Sequence, residues 1–421
     1  MTKTTKVTGS LAAVAASCLV WGASAVQAAD LGGNCCADLE ERIAELEATT
    51  ARKGNRKVSL TISGWVNEAV FFWDDGRESN VYVATNSLEQ SRFKFAGEAK
   101  ITDGWSAGYV IEIGVWGSAY KGVDASTDDG KDNGVTNGLL VRKSNWFIKS
   151  KDLGKFTVGL DGTATYHLLD DANTTVTRNY ADAEAAAVAL ASFKEVNTGN
   201  KWTDMMGGFN GATPGQSGRR NVVRYDSPTI AGFVLTAAWG EDDMWDMALT
   251  YKGEVGDFKL TAKAGYGEST DPVTNKGRCA VGTGDCQWWG VAGTIQHAPT
   301  GIYVYAGYGA DSIDLKASQA GEDDESNTWF VQGGIESKLV AIGKTTFFGE
   351  YRHDDVGISA KASSSDLNFW AAGVIQSIDN AAMDLYVIYR QAEGDVHLTK
   401  GAAKTELEDF DVLMTGARIQ F

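Results

Sequence analysis

From residue 58 to the last residue, apolar and polar side chains alternate with a period of two. The segments Val58–Gly64, Phe93–Ile101 and Trp105–Val115 carry apolar or glycine residues at nearly every second position. This period is typical of a β-strand with one buried face and one polar face. The pattern predicts about sixteen strands. The further strands begin near Leu139, Lys155, Arg220, Ala231, Trp245, Phe258, Trp288, Ile302, Trp329, Lys344, Leu367, Met383 and Phe410.

The connections between these segments alternate in length. Tight turns occur at Asp103-Gly104, Leu153-Gly154, Ser227-Pro228 and Asp379-Asn380, and long polar links such as 268–285 lie between them. The connections are therefore short at one end of the strand array and long at the other. This arrangement is typical of an antiparallel up-and-down β-barrel in an outer membrane, with short periplasmic turns and long external loops.

Aromatic side chains recur near the strand ends, as in the girdles that flank the apolar belt of a membrane barrel. They are Phe71, Phe72, Trp73, Trp105, Trp116, Trp146, Trp239, Trp245, Trp288, Trp289, Trp329, Tyr351 and Trp370. A soluble β-sandwich would alternate as well, but it needs no girdles, so the membrane barrel is favoured. Phe421 ends the last strand, where a terminal aromatic is expected to be recognised by barrel assembly machinery.

The first segment predicts export. Lys3 and Lys6 precede an apolar run from Leu11 to Val26 that ends in small residues, which predicts a signal peptide (residues 1–28) cleaved after Ala28. Residues 29–57 are expected to be a periplasmic helix or tether, and Asp38 to Thr50 have the periodicity of a short N-terminal helix. Whether that helix associates between subunits or remains a solvated tether is open.

Charge and cysteine content narrow the chemistry. A net charge of −17 argues against a nucleic-acid partner, and four His make a His-based metal site improbable, so neither a metal nor a cofactor is expected. Cys279 and Cys286 flank a Gly-rich stretch and are expected to form a disulfide in an oxidising compartment, the alternative being two unpaired thiols. Cys35 and Cys36 are adjacent and are not expected to bond each other.

Two stretches then suggest a family. The start of the mature chain, from Cys35-Cys36-Ala37 through Ser63-Gly64-Trp65 to Asp75, closely resembles the alphaproteobacterial porin family. The stretch 221–228, followed by Ala231-Gly232-Phe233, resembles a motif found widely among general porins. The resemblance covers nearly the whole mature chain. It implies a homotrimer of sixteen-stranded barrels, each a passive water-filled pore for small hydrophilic solutes and ions.

The longest connection, residues 162–218, is expected to narrow the pore. It is the third long loop, and its stretch Asp182–Phe193 has the composition of a helix. In porins the third long loop folds into the lumen as a constriction. An external cap or a trimer contact is the alternative for this loop.

Alternation predicts which charges line the pore. Arg is costly on the lipid face, so inward placement is favoured for Arg92, Lys94, Lys100, Arg220, Arg224, Asp226, Arg352, Arg390 and Arg418. The acidic residues on or near the long loop are Asp161, Asp170, Asp171, Asp182 and Glu184. A basic wall opposite an acidic loop would create a transverse field that selects solutes by charge and dipole. A register slip of one residue would reverse each of these assignments.

Other functions are weaker candidates. A substrate-selective channel for a sugar or an organic anion is the main alternative. An outer-membrane hydrolase is disfavoured because the suggestive cluster, His353 with Asp354 and Asp355, alternates between strand faces. External acidic clusters such as 322–325 could bind divalent cations shared with lipopolysaccharide, although a solvated loop is the simpler interpretation.

Overall fold

The computed structural model describes residues 58–86, 88–116, 138–181, 193–207, 213–240, 243–270 and 278–421. The predicted signal peptide, the N-terminal helix and the predicted loop helix up to residue 192 lie outside these ranges. Within the described ranges, no helix has the length and apolarity needed to cross a bilayer.

Nearly all of the regular secondary structure in the described chain is antiparallel β-strand. The strands are β1 (Thr61–Asp74), β2 (Ser79–Thr85), β3 (Arg92–Thr102), β4 (Trp105–Trp116), β5 (Gly138–Ser150), β6 (Gly154–Gly162), β7 (Arg219–Asp226), β8 (Phe233–Gly240), β9 (Met244–Val255), β10 (Phe258–Ser269), β11 (Cys286–His297), β12 (Ile302–Ile313), β13 (Glu325–Val340), β14 (Gly343–Val356), β15 (Ser364–Ile378), β16 (Met383–His397), β17 (Thr405–Glu406) and β18 (Phe410–Gln420). Short helical turns occupy Asp170–Ala172, Val176–Asn179, Trp202–Met205, Arg278–Ala280, Ala317–Gln319 and Asp379–Ala381.

The sheet closes on itself, because the first strand pairs with the last. Asn67 of β1 lies opposite Arg418 of β18, and β18 also pairs with β16. Strands β2 and β3 pair with successive parts of β1 and share one position in the wall, while β17 only extends the edge of β16. The result is a closed antiparallel barrel of sixteen strand positions, which confirms the predicted all-β fold.

The two faces of the wall differ as the alternation predicts. Trp146, Trp239 and Trp370 point outward and are 48%, 53% and 49% exposed, so the outer surface is an apolar and aromatic belt. The prediction was wrong for three aromatic residues, because Phe71, Trp73 and Trp288 point into the barrel and are buried there. Trp73, for example, packs on Phe193 of an internal loop with ring centroids 5.2 Å apart. Proximity to a strand end therefore did not determine which face an aromatic residue occupies.

The turns and loops occupy the two ends of the barrel as predicted. Strands β3 and β4 are joined by two residues, and Gly104 there has φ of +82°, a backbone conformation that glycine adopts without strain. Strands β6 and β7 are separated by residues 163–218. This long connection determines the shape of the interior.

Candidate functional site

The connection between β6 and β7 folds into the barrel; we call its described residues (163–181, 193–207 and 213–218) the inner loop. Its entry is held by Asp246, an inward residue of β9 that is 1% exposed. The backbone N–H groups of Ala164 and Thr165 donate to its two carboxylate oxygens, at N···O distances of 2.9 and 2.8 Å. A carboxylate that accepts two backbone donors fixes the direction in which the loop enters.

The middle of the inner loop lies against strands β12 to β16. Tyr305 donates its hydroxyl to the Leu169 carbonyl oxygen at 2.9 Å, and Gln332 Nε2 donates to the Ala181 carbonyl oxygen at 2.7 Å. Tyr180 donates its hydroxyl to Asp384 Oδ2 at 2.8 Å. All of these atoms are buried, so each hydrogen bond satisfies a polar group that water does not reach. The loop is thus attached to one side of the lumen.

All nine predicted inward residues lie on the inward face by register, but they fall into two groups. Arg352, Arg390 and Arg418 are 1%, 5% and 5% exposed because they lie on the side that the inner loop covers. Arg352 makes two hydrogen bonds of 2.7 Å to Asp354 and donates to Thr213 of the loop at 3.1 Å. These arginines were expected to face water, but the inner loop covers them.

Arg390 and Arg418 on this side have partners of different kinds. Arg390 Nη1 donates to Glu350 Oε1 at 3.1 Å, and its Nη2 donates to the Tyr180 carbonyl oxygen at 3.4 Å. The Arg418 guanidinium carbon lies 4.5 Å from the centre of the Trp65 ring, a cation–π geometry. The alternation pattern identified the face of each arginine and contained no signal for the loop that covers it.

The opposite side of the lumen, on strands β3 to β7, carries the second group. Arg92 Nη1 lies 3.3 Å from Glu112 Oε1, and Arg224 makes a 2.7 Å ion pair with Asp226. Lys94 and Lys100 lie on the same inward face of β3, where Lys94 is opposite Glu112. Arg220 lies opposite Asp161 on the neighbouring strand and is 3% exposed. This side is therefore a mixed but strongly basic wall.

Two consecutive cations on this wall were missed by the sequence pattern. A register shift between Glu112 and Ile113 places both Arg142 and Lys143 of β5 on the inward side. Arg142 Nε lies 2.8 Å from Glu112 Oε1, and Lys143 Nζ lies 2.8 Å from Asp161 Oδ1. A β-bulge inserts one residue and so breaks strict alternation, which is why the period of two did not reveal the pair.

The predicted acidic residues of the loop differ in their exposure and in their partners. Asp171 keeps 47% of its side chain exposed and pairs with Arg178 Nη2 at 3.0 Å and with Lys263 Nζ at 3.4 Å. Burial alone would raise the pKa of Asp171, but Arg178 and Lys263 outweigh it and lower the pKa to about 2. Asp170 is fully buried and accepts a 2.7 Å hydrogen bond from His167 instead of facing water. Asp182 and Glu184 lie outside the described residues.

The expected disulfide is present, because Cys279 and Cys286 are bonded with a Cα–Cα distance of 5.6 Å. The adjacent Arg278 is buried and forms a 2.7 Å ion pair with Asp311. Its Nε also donates to the Ile358 carbonyl oxygen at 3.0 Å, so this side chain ties separate external connections together. The disulfide therefore lies in a packed cap at the external end of the barrel.

An apolar outer belt around a charged interior, partly filled by a folded loop, defines a membrane channel. A sequence model of the Gram-negative porin family matches residues 10–397, and the chain belongs to that family. It is a porin of the outer membrane, and its barrel is a passive channel.

Solved structures have the same fold. The anion-selective porin from Comamonas acidovorans aligns with a TM-score of 0.59 at 14% identity, covering 86% of this chain and 100% of that one. In-vitro folded OmpT of Vibrio cholerae, in a trimer form, gives 0.52 at 13%, covering 86% and 99%. The outer membrane channel DcaP of Acinetobacter baumannii gives 0.52 at 14%, covering 88% and 99%. Among curated protein sequences, no match is found.

Proposed function

We propose that the channel is a general diffusion pore of the alphaproteobacterial porin type, and that its constriction lies between the inner loop and the basic wall. The observation that carries this proposal is the attachment of the inner loop to strands β12 to β16, which leaves the wall of β3 to β7 as its facing surface. Asp171 and Arg178 are partly exposed on the loop, and Lys143 and Arg224 are partly exposed on the wall. Opposed charges of this kind orient water and select solutes by charge and dipole.

Liposome swelling and single-channel recording test the proposal. A general pore gives solute flux that rises linearly with concentration and falls smoothly with solute size. A substrate-selective channel for a sugar or an organic anion would instead show conductance that saturates with one class of solute. Saturation by a single solute would contradict the general pore while leaving the barrel assignment intact.

A homotrimer is also proposed. The trimer form described for Vibrio cholerae OmpT supports it, and so does Glu68, an exposed carboxylate on the outward face of β1 between Val66 and Val70. A carboxylate facing lipid is costly, so a second copy that covers this face would lower the cost. Chemical cross-linking and mass measurement in detergent distinguish three copies from one.

The remaining proposals concern processing, partners and catalysis. We propose cleavage after Ala28, recognition of Phe421 by barrel assembly machinery, and contact of the external loops with lipopolysaccharide, through divalent cations where acidic groups meet phosphates. No hydrolase activity is proposed: by register His353 and Asp354 point to opposite faces of β14, as alternation requires. N-terminal sequencing of the purified protein tests the cleavage site.

A further inference from the structure

The chain leaves the barrel wall between β2 and β3. Along β1, Glu68 lies opposite Thr85 and Trp65 lies opposite Arg92, so only two β1 residues, at 66 and 67, face this gap. Six residues, 86–91, connect Thr85 to Arg92 where a continuous strand would need two. The connection is therefore four residues longer than the wall requires, and we call its described residues (86 and 88–91) the inner bulge.

The inner bulge lies inside the barrel. Trp65 Nε1 and Asn67 Nδ2, both on the inward face of β1, donate to the Glu89 carbonyl oxygen at 3.1 and 3.0 Å. Asn86 Nδ2 donates to the hydroxyl of Tyr386, an inward residue of β16, at 3.2 Å. Gln90 Oε1 accepts a hydrogen bond of 3.1 Å from Arg142 on the basic wall. Partners on three separate wall strands fix the bulge in the lumen.

The gap is closed on the outer side of the wall. Thr85 and Ser91 donate their hydroxyls to Glu68 Oε1 at 3.0 and 3.1 Å. The backbone N–H of Asn67, which would otherwise lack a strand partner, donates to Ser91 Oγ at 3.0 Å. The polar groups of β1 that lose a strand partner at this gap thus have other hydrogen-bond partners. The interruption is therefore a stable part of the fold.

The inner bulge places one carboxylate between the basic wall and the inner loop. Glu89 Oε2 lies 3.2 Å from Arg92 Nη2, and Glu89 Oε1 lies 3.8 Å from Arg178 Nη1. Arg178 is the residue that also pairs with Asp171 on the inner loop. Glu89 therefore links the basic wall to the inner loop electrostatically.

We propose that the inner bulge is a second constriction element facing the inner loop, and that Glu89 is its charge-selecting residue. Arg92 is a positioning residue, because it holds the Glu89 carboxylate from the wall. This inference rests on the proposed constriction at the inner loop. Because Glu89 pairs with Arg178, the inner bulge and the inner loop meet at this point and narrow the lumen together. A solute passes beside this contact, where the Glu89 carboxylate disfavours anions.

The reversal potential of Glu89→Gln in planar bilayers tests the charge. With an ion passing about 6 Å away, loss of the carboxylate should raise the anion-to-cation permeability ratio about three- to fourfold in 0.1 M salt, and less than about 1.5-fold in 1 M salt. Glu98→Gln is the matched control, because Glu98 lies on the same inward face of β3, exposed and away from the inner loop. We expect it to shift the ratio less.

Two outcomes separate this inference from the proposed function. Asp171→Asn removes an exposed carboxylate of the inner loop, so a shift with this variant and none with Glu89→Gln overturns the role of Glu89 alone. If neither variant shifts the ratio, the constriction itself is in error.

A second variant tests the shape of the channel without depending on charge. Replacing residues 86–91 by Ser-Val restores a continuous strand, with Ser facing inward beside Asn67 and Val facing outward beside Val66. We expect a higher single-channel conductance, because the inward projection is gone. Unchanged conductance in a correctly folded barrel would overturn the second constriction, and Glu89→Gln provides the test if this variant does not fold.

Discussion

Arg352 provides the sharpest test of how the inner loop is held. The side chain is 1% exposed and forms a two-point ion pair with Asp354, which is itself fully buried. Arg352→Met removes the cation and leaves the Asp354 carboxylate without its charge partner. We expect the barrel to lose about 3 to 5 kcal/mol of unfolding free energy, the usual cost of an uncompensated buried charge. Loss of the Arg352 contact to Thr213 should also loosen the inner loop.

The double variant Arg352→Met with Asp354→Leu separates the ion pair from simple packing. Replacing both charges by apolar groups of similar size is often neutral, so most of the lost stability should return. Asp354→Leu alone leaves Arg352 as an unpaired buried charge and should cost a similar amount, so the coupling free energy between the two positions should be about 5 kcal/mol or more. Guanidinium unfolding in detergent micelles, followed by tryptophan fluorescence, measures the unfolding free energy of the wild type, the two single variants and the double variant.

Ion selectivity is the measurement that distinguishes a buried Arg352 from one that faces the water of the pore. If Arg352 faced water, as expected from alternation alone, Arg352→Met would shift the reversal potential toward cations and leave stability unchanged. Lys94→Met is the matched control, because Lys94 lies on the inward face of the wall that the inner loop leaves open. A strong selectivity shift with unaltered unfolding in Arg352→Met would refute the assignment of Arg352 to the loop anchor.

Three further predictions follow from the site. Lys143→Gln should raise the cation-to-anion permeability ratio, obtained from the reversal potential, about two- to fourfold at 0.1 M salt. The reason is that 30% of the Lys143 side chain is exposed to the lumen. Because the Asp171 pKa is lowered to about 2, this carboxylate stays charged well below its usual range. The selectivity change caused by Asp171→Asn should therefore be the same at pH 7 and pH 4 and vanish only toward pH 2. Cys279→Ser with Cys286→Ser should expose Arg278 to trypsin in an otherwise intact barrel. Without the disulfide the unfolded segment gains entropy, which lowers its stability by about 2 to 3 kcal/mol for so short a loop.

The sequence predicted the wall well because a two-residue period is a property of neighbouring side chains. Strand starts near Phe258, Ile302 and Met383 agree with the structure to the residue, and the tight turns lie where Gly, Asp and Pro were found. Local chemistry determines these features. The closure of the barrel was predictable only through the number of strands.

The interior was harder to predict because it depends on long-range contacts. The face of Arg390 followed from alternation, but its burial depends on Tyr180, which lies 210 residues away in sequence. The inward turn of Lys143 depends on a bulge that no composition signal marks. The inner bulge shows only as four surplus residues, which become visible once the register of β1 is known.

The pairing of β1 with β18 has a consequence for how this molecule is made. Asn67 and Arg418 become neighbours only after the intervening chain has been synthesised. Until that final seam forms, the first strand offers an open edge to any other chain. Such distant pairing also makes folding slow. An exported chain whose seam is still open can therefore pair with its own copies, and closing the seam removes that exposed edge.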